Sequence, residues 1–108
     1  MNSTLLAIRG PLTGARLTLE EPRTTLGRIA GCTVVLQDNS VSRQHAMISK
    51  HRLGWLLADT DSAQGTFLNG AAIIEPVALK ANDEIRIGHS IFLFDSEFDL
   101  QNADYTDN

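Results

Sequence analysis

The sequence predicts an all-β domain, either a sandwich or a barrel. Short apolar segments recur along the 108 residues, separated by Gly, Pro, Asn and Asp, which accept positive φ or fix a turn. Several segments alternate with the period of two that buries one face of a strand. Leu17 and Leu19 flank Thr18, Ile85 and Ile87 flank Arg86, and Trp55 and Leu57 share a face opposite Leu56 and Ala58. A long amphipathic helix has no place. The Gly- and Pro-free stretch that ends at Leu53 is broken by Asp38-Asn39-Ser40.

From the N-terminus, Thr4–Ile8 is an apolar run closed by Gly10-Pro11, and Ala15–Leu19 follows Gly14 and ends at Glu21-Pro22. Thr24–Arg28 leads into Gly31, and Thr33–Leu36 stops at the polar run Gln37–Ser40. His45–Ser49 and Trp55–Asp59 come next, then Thr66–Leu68 and Ala71–Ile74 on either side of Asn69-Gly70. Val77–Leu79 precedes Asn82-Asp83, and Glu84–Ile87 and Ser90–Phe94 flank Gly88-His89. Pro76–Lys80 could instead make one helical turn with Pro76 at its first position. No internal repeat or linker interrupts this pattern. Residues 1–95 are expected to form the domain. Residues 96–108 are expected to be an acidic, disordered tail or the start of a linker, since Asp95 to Asn108 holds five acids and no base. The chain stops there without an ending signal, as a piece of a longer protein would.

Composition narrows the function classes. A hydrophobic share of 43% and a charged share of 20% are those of a globular domain. No apolar run approaches the roughly 18 residues of a membrane span, and the N-terminus lacks a secretory pattern. Cys32 alone builds neither a disulfide framework nor a zinc site. A reducing, cytoplasmic setting is expected, with no membrane partner. The net charge of −4 argues against direct nucleic-acid binding. Residues 1–54 hold seven Lys/Arg against three acids, a net +4, and the remainder two against ten, a net −8. A local basic surface on an acidic protein suits one compact anion better than a long polyanion.

Three polar clusters fall between strands, where a rigid β fold presents its binding groups. They are Gly27-Arg28, the run Ser40 to His45, and the run Asp59 to Gly70. In order and register they resemble forkhead-associated (FHA) domains. That family carries a Gly-Arg pair, a Ser-Arg-x-His element and a Ser-x-Asn-Gly-Thr-x-x-Asn-Gly element. The first two are present in full as Gly27-Arg28 and Ser42-Arg43-Gln44-His45. The third is present as Ser62-Ala63-Gln64-Gly65-Thr66-Phe67-Leu68-Asn69-Gly70, with Gln64 where the family has asparagine. Leu79 to Gly88 resembles the family's closing hairpin, so the likeness runs from about Leu5 to Phe94.

The resemblance implies a two-sheet β-sandwich of about ten to eleven short, mostly antiparallel strands with binding loops at one end. It implies a phosphothreonine-peptide binding module for regulated protein–protein interaction, without catalysis or cofactor. The partner would be a phosphothreonine-bearing protein or peptide, the parent chain included. The Ser-Arg-x-His form resembles bacterial members, which accompany kinases, secretion components and transcriptional regulators. Arg28 would be the leading phosphate ligand, Ser42 a hydroxyl donor to phosphate, and Arg43 a contact to phosphate or peptide backbone. Ala63 and Gln64 would face the peptide main chain, Ala63 through its backbone. Gln64 offers the family's amide on a longer arm whose ordering costs more entropy. Gly27, His45, Ser62, Gly65, Thr66, Asn69 and Gly70 would be scaffold. His45 would brace the Ser42 loop, while Thr66 and Asn69 would tie turns by side-chain to backbone bonds.

The residue chemistry agrees with this reading. Phosphothreonine carries roughly −1.5 to −2 charges and three acceptor oxygens, and a guanidinium with hydroxyl and N–H donors matches them. In the family a small pocket holds the threonine γ-methyl. One buried methyl, at about 0.8 kcal/mol, gives roughly a fourfold preference over phosphoserine. Affinity is expected to fall with added salt. Two other classes are weaker. A phosphate-independent scaffold or oligomerisation domain draws its support from Gln64. A hydrolase using Ser42 and His45 lacks the nucleophile elbow and oxyanion-hole glycines. His45, His51 and His89 lack metal-ligand spacing, and Gly27 to Gly31 lacks the lysine of a nucleotide loop. Cys32, Trp55, Phe92 and Phe94 are expected in or near the core.

Overall fold

A computed structural model describes residues 3–96, so the tail expected over residues 96–108 lies outside the described residues save for Ser96, which is buried. Eleven strands form in the predicted order: β1 (Thr4–Arg9), β2 (Arg16–Thr18), β3 (Arg23–Gly27), β4 (Val34–Val35), β5 (Ala46–His51), β6 (Gly54–Asp59), β7 (Thr66–Leu68), β8 (Ala71–Ala72), β9 (Val77–Ala78), β10 (Glu84–Ile87) and β11 (Ser90–Asp95). They make two sheets, β2-β1-β11-β10-β7-β8 and β4-β3-β5-β6-β9. Every pairing is antiparallel except β3 with β4, which run parallel. This is the two-sheet sandwich, and no helix long and apolar enough to cross a membrane occurs among the described residues.

Alternation sends one face of each long strand inward. Leu5 and Ala7 of β1, Leu26 of β3, Ile48 of β5 and Leu57 of β6 meet Ile85 and Ile87 of β10 and Phe92 and Phe94 of β11 in one buried cluster. Trp55 joins it, and Cys32 is buried close by. Burying a side chain of leucine or phenylalanine size contributes about 1.5–3 kcal/mol, so this shared face carries most of the sandwich's cohesion. The helical turn open to Pro76–Lys80 does not form. Val77 and Ala78 pair with Leu57 and Leu56 of β6 instead, which satisfies backbone groups that an isolated turn would leave to water.

Strand direction decides which loops meet. Ile87 at the end of β10 lies opposite Thr66 at the start of β7, and Ala46 at the start of β5 opposite Asp59 at the end of β6. The β3–β4, β4–β5, β6–β7 and β10–β11 connections therefore gather at one end. The β10–β11 turn spans Gly88 and His89, with Gly88 at φ +60°. A Cβ on Gly88 would stand 2.6 Å from Ser40 Oγ and 2.7 Å from Val41 Cγ2, so this turn presses directly on the β4–β5 loop.

Candidate functional site

The Gly27-Arg28 pair closes β3 against the β4–β5 loop. A Cβ on Gly27 would collide with the Arg43 carbonyl oxygen and come within 2.8 Å of Cys32 Sγ, so only glycine allows this approach. The Arg28 N–H then donates to the carbonyls of Ser42 (3.1 Å) and Arg43 (3.0 Å). Its Nε donates to the Val41 carbonyl at 3.0 Å. That last bond fixes the guanidinium while leaving both Nη groups without a protein acceptor among the described residues. The side chain is exposed.

Ser42 is held from two sides. Its N–H donates to His45 Nδ1 at 3.0 Å, and its Oγ accepts the Ala63 N–H at 2.9 Å. The hydroxyl hydrogen is left without an acceptor among the described residues, so it can point outward beside Arg28. His45 is wholly buried. Because its Nδ1 accepts, its Nε2 carries the hydrogen and donates to the Gly65 carbonyl at 2.8 Å. A single imidazole thus couples the β4–β5 loop to the β6–β7 loop. Arg43 is exposed, and its side chain has no partner among the described residues.

The β6–β7 loop is organised by Asp59, a residue that the sequence reading left unassigned. Its Oδ2 accepts the Ser62 N–H at 3.1 Å, and its Oδ1 accepts the hydroxyls of Ser62 (2.5 Å) and Thr66 (2.7 Å). Ser62 Oγ in turn accepts the Gly65 N–H at 2.9 Å. Burial pushes the Asp59 carboxyl up, but the Ser62 and Thr66 hydroxyls and the Ser62 N–H outweigh it and hold the group below its ordinary value. This braced loop exposes Ala63 and Gln64 next to Ser42.

Arg28, Ser42, Arg43, Ala63 and Gln64 thus come together at one end, with Gly27, His45, Ser62, Gly65 and Thr66 immediately beneath. One expectation needs correction: Thr66 ties its turn through the Asp59 side chain rather than through backbone. Asn69 makes the expected side-chain to backbone bond, but it and Gly70 serve a different turn from the one beneath Ser42. They form the two-residue turn between β7 and β8 at the far end of the sheet, with φ of 51° and 88°, the primed-turn geometry that Asn-Gly favours. There Asn69 Oδ1 accepts the Glu84 N–H (2.8 Å) and its Nδ2 donates to Asp83 (3.0 Å). The sequence element is contiguous, but β7 carries its two halves to opposite ends.

Asp38 was also missed. Its side chain is only 8% exposed, and it accepts from Ser40 N–H (2.9 Å), Ser40 Oγ (2.7 Å) and His89 N–H (2.9 Å). His89 Nδ1 lies 3.1 Å from the same carboxylate. Burial pushes this carboxyl up, yet these donors hold it far below the usual carboxylate range. The Asp-x-Ser spacing was a local signal for the turn. The bond to His89, from the opposite sheet, had none.

Comparison with known proteins fits this arrangement. The FHA domain family model matches residues 24–88. The FHA domain-containing protein FhaB of Mycobacterium tuberculosis is 37% identical over 84 residues, covering 78% of this chain and 54% of its own. The oxoglutarate dehydrogenase inhibitor of Corynebacterium efficiens is 38% identical over 93 residues, covering 85% of this chain and 65% of its own. The chain therefore spans about half to two thirds of these relatives. An FHA domain solved in a study of phosphothreonine-dependent interactions superposes with a TM-score of 0.80 at 31% identity, over 90% of this chain and 98% of its own. With a sandwich, loop order and sequence all in agreement, the chain belongs to the FHA domain family.

Proposed function

We propose that this domain binds phosphothreonine peptides through Arg28, Ser42 and Arg43, with the Ala63–Gln64 segment meeting the peptide main chain, and that it performs no catalysis itself. The observation that carries this reading is the pair of ready donors at the loop end. Arg28 is anchored through Nε with both Nη groups unengaged, and Ser42 accepts through Oγ while its hydroxyl hydrogen stays unengaged. A phosphate dianion can take two N–H bonds from the guanidinium and one from the hydroxyl, each charge-assisted. The donors are held before ligand arrives, so little ordering entropy is lost on binding. Arg43 adds charge at the rim. Gln64 can donate and accept on the peptide backbone, fixing register without reading side chains.

The length of the relatives, of which this chain spans 54% and 65%, supports a place within a larger bacterial regulatory protein, and the lone Cys32 suits a reducing, cytoplasmic setting. The test is titration of the isotope-labelled domain with a degenerate phosphothreonine library, with unphosphorylated and phosphoserine libraries as controls. Shifts centred on Arg28, Ser42, Arg43 and Gln64, with roughly fourfold weaker response to phosphoserine, are expected. Arg28→Ala should lower affinity at least tenfold, the loss expected from a charge-assisted pair of about 1.5–3 kcal/mol, with the folded spectrum unchanged. Absence of shifts at millimolar peptide overturns the reading. A partner that binds equally well to Arg28→Ala would point to the phosphate-independent scaffold that the Gln64 exchange suggests.

A further inference from the structure

The alternation that buries Leu5, Ala7, Ile85, Phe92 and Phe94 turns their neighbours onto the outer face of the six-stranded sheet. Leu6 lies beside Leu93 there, and a register irregularity between Ala7 and Arg9 brings Ile8 and Arg9 up against Ile91. Ile8 is 38% exposed, and Leu6, Ile91 and Leu93 are half-buried. The charges around this apolar centre are divided by side. The β2–β1 half holds Arg16 and Arg9, and the β11–β10 half holds Asp95, Glu84 and Arg86. Arg86 leans away from the centre onto the Phe67 ring, 4.0 Å from its centroid. Arg16 pairs in register with Leu6, Leu6 with Leu93 and Leu93 with Glu84, so these four form one row across four strands. The Arg16–Asp95 contact is long at 3.5 Å, with side chains 54% and 51% exposed, so both groups stay open to other partners.

We infer that this face is a homodimer interface, on which a second copy of the chain packs sheet to sheet about a two-fold axis parallel to the strands, between β1 and β11. Under that axis the row is its own complement. Arg16 of one copy stands opposite Glu84 of the other and Leu6 opposite Leu93, and each contact occurs twice, as in any isologous interface. The next row sets Ile8 against Ile91. A two-fold axis across the strands would set Arg16 against Arg16 and Glu84 against Glu84, so the charges select the first arrangement. Sheets stacked in this way keep their strands within about 30° of each other and interdigitate their side chains, which closes an apolar centre inside a rim of ion pairs. Four strands of six residues span roughly 19 by 20 Å. That is at the small end of specific interfaces, so the association is weak and depends on concentration. Both loop ends stay uncovered and point the same way, so the dimer neither rests on the phosphopeptide reading nor competes with it.

The experiment is sedimentation velocity of the whole chain from about 10 µM to 1 mM at low salt, with wild type expected to shift from monomer toward dimer as concentration rises. Leu93→Ser should weaken association at least tenfold, because each dimer loses apolar contact on both sides of the axis. Arg16→Glu and Glu84→Arg are the diagnostic pair. Each alone sets like charges against each other twice and should weaken association roughly tenfold. Mixed in equal amounts, the two variants should associate as wild type does, since every opposed pair in the mixed dimer again joins opposite charges. Arg28→Ala should leave the dimer unchanged. A chain that stays monomeric to 1 mM overturns the proposal, whether the face stays bare or residues 97–108 of the same chain cover it. Self-association that both charge variants retain, or that their mixture fails to restore, also overturns it. Loss of the dimer on Arg28→Ala would place the contact at the loop end and overturn it too. None of these outcomes bears on phosphopeptide binding, so the two readings fail separately. Amide spectra of each variant report whether the fold is kept.

Discussion

His45 shows how much of the loop end depends on one side chain. It accepts from Ser42 and donates to Gly65 while fully buried. Truncation to alanine strands an N–H and a carbonyl in a dry site, each costing about 1–3 kcal/mol. His45→Ala is expected to lower unfolding stability by about 2–5 kcal/mol in urea and to weaken phosphopeptide binding although His45 never touches the ligand. Loss of binding with unchanged stability would contradict this bracing role. Gln64 works in the opposite sense. Its side chain is exposed and has no partner among the described residues, so its ordering is a cost of binding. Removing one rotatable bond relieves on the order of 0.5 kcal/mol, and Gln64→Asn is expected to tighten Kd roughly twofold by calorimetry. At this scale the sequence was informative where a motif position has a fixed neighbour. It was silent where the partner is distant in the chain, as for Asp38 with His89, because such a bond leaves no local pattern.

At the scale of elements, all eleven strands were legible because turn residues bracket them and their apolar positions alternate. Thr66–Leu68 and Glu84–Ile87 fall as expected. The strand expected over Ala71–Ile74 is shorter: Ala71 and Ala72 pair in register with β7, the Ile73 N–H donates to the Thr66 carbonyl at 2.9 Å, and Ile74 stands almost entirely in solvent, at 95% exposure. The parallel β3–β4 pair carries no sequence signature, since register and direction arise from the loop that joins them. The β6–β7 loop could be recognised as a polar cluster, yet its centre could not, because any of its acids might have accepted from Ser62 and Thr66. The structure selects Asp59, and that choice has a pH consequence. Its folded pKa is depressed below the ordinary 3.8. Such a group contributes stability that is fully present above its unfolded pKa and is lost as pH falls through its folded pKa. Asp38, depressed further, acts in the same direction. The Tm is expected to be level near neutral pH and to fall by several degrees as pH drops below about 4. Asp59→Asn should be less stable at neutral pH and show a shallower fall in acid. A variant that parallels wild type at every pH would remove Asp59 from that account.

Over the whole molecule, two features of the sequence combine in a way that neither predicts alone. The chain is acidic in total but basic in its first half, and the fold places Arg28 and Arg43 from that half at the loop end. Their attraction for a phosphate is short in range, because the Debye length is about 10 Å near 0.1 M salt and about 3 Å near 1 M. The repulsion from the net charge of −4 acts over a longer distance and is screened first. Between about 0.1 and 0.5 M salt the local term dominates, so Kd for an otherwise neutral phosphothreonine peptide should rise severalfold. Below about 0.03 M the Debye length approaches 20–30 Å, comparable to a small domain, and the acidic remainder begins to oppose the same ligand. The gain in affinity on dilution should therefore flatten or reverse there. A calorimetric series from 10 mM to 0.5 M sodium chloride distinguishes the cases. A flat response across the upper range would place the main contacts away from the charged loop end, on a sheet face or edge. A steep rise in affinity that continues to the lowest salt would mean that the acidic half exerts no field at the site.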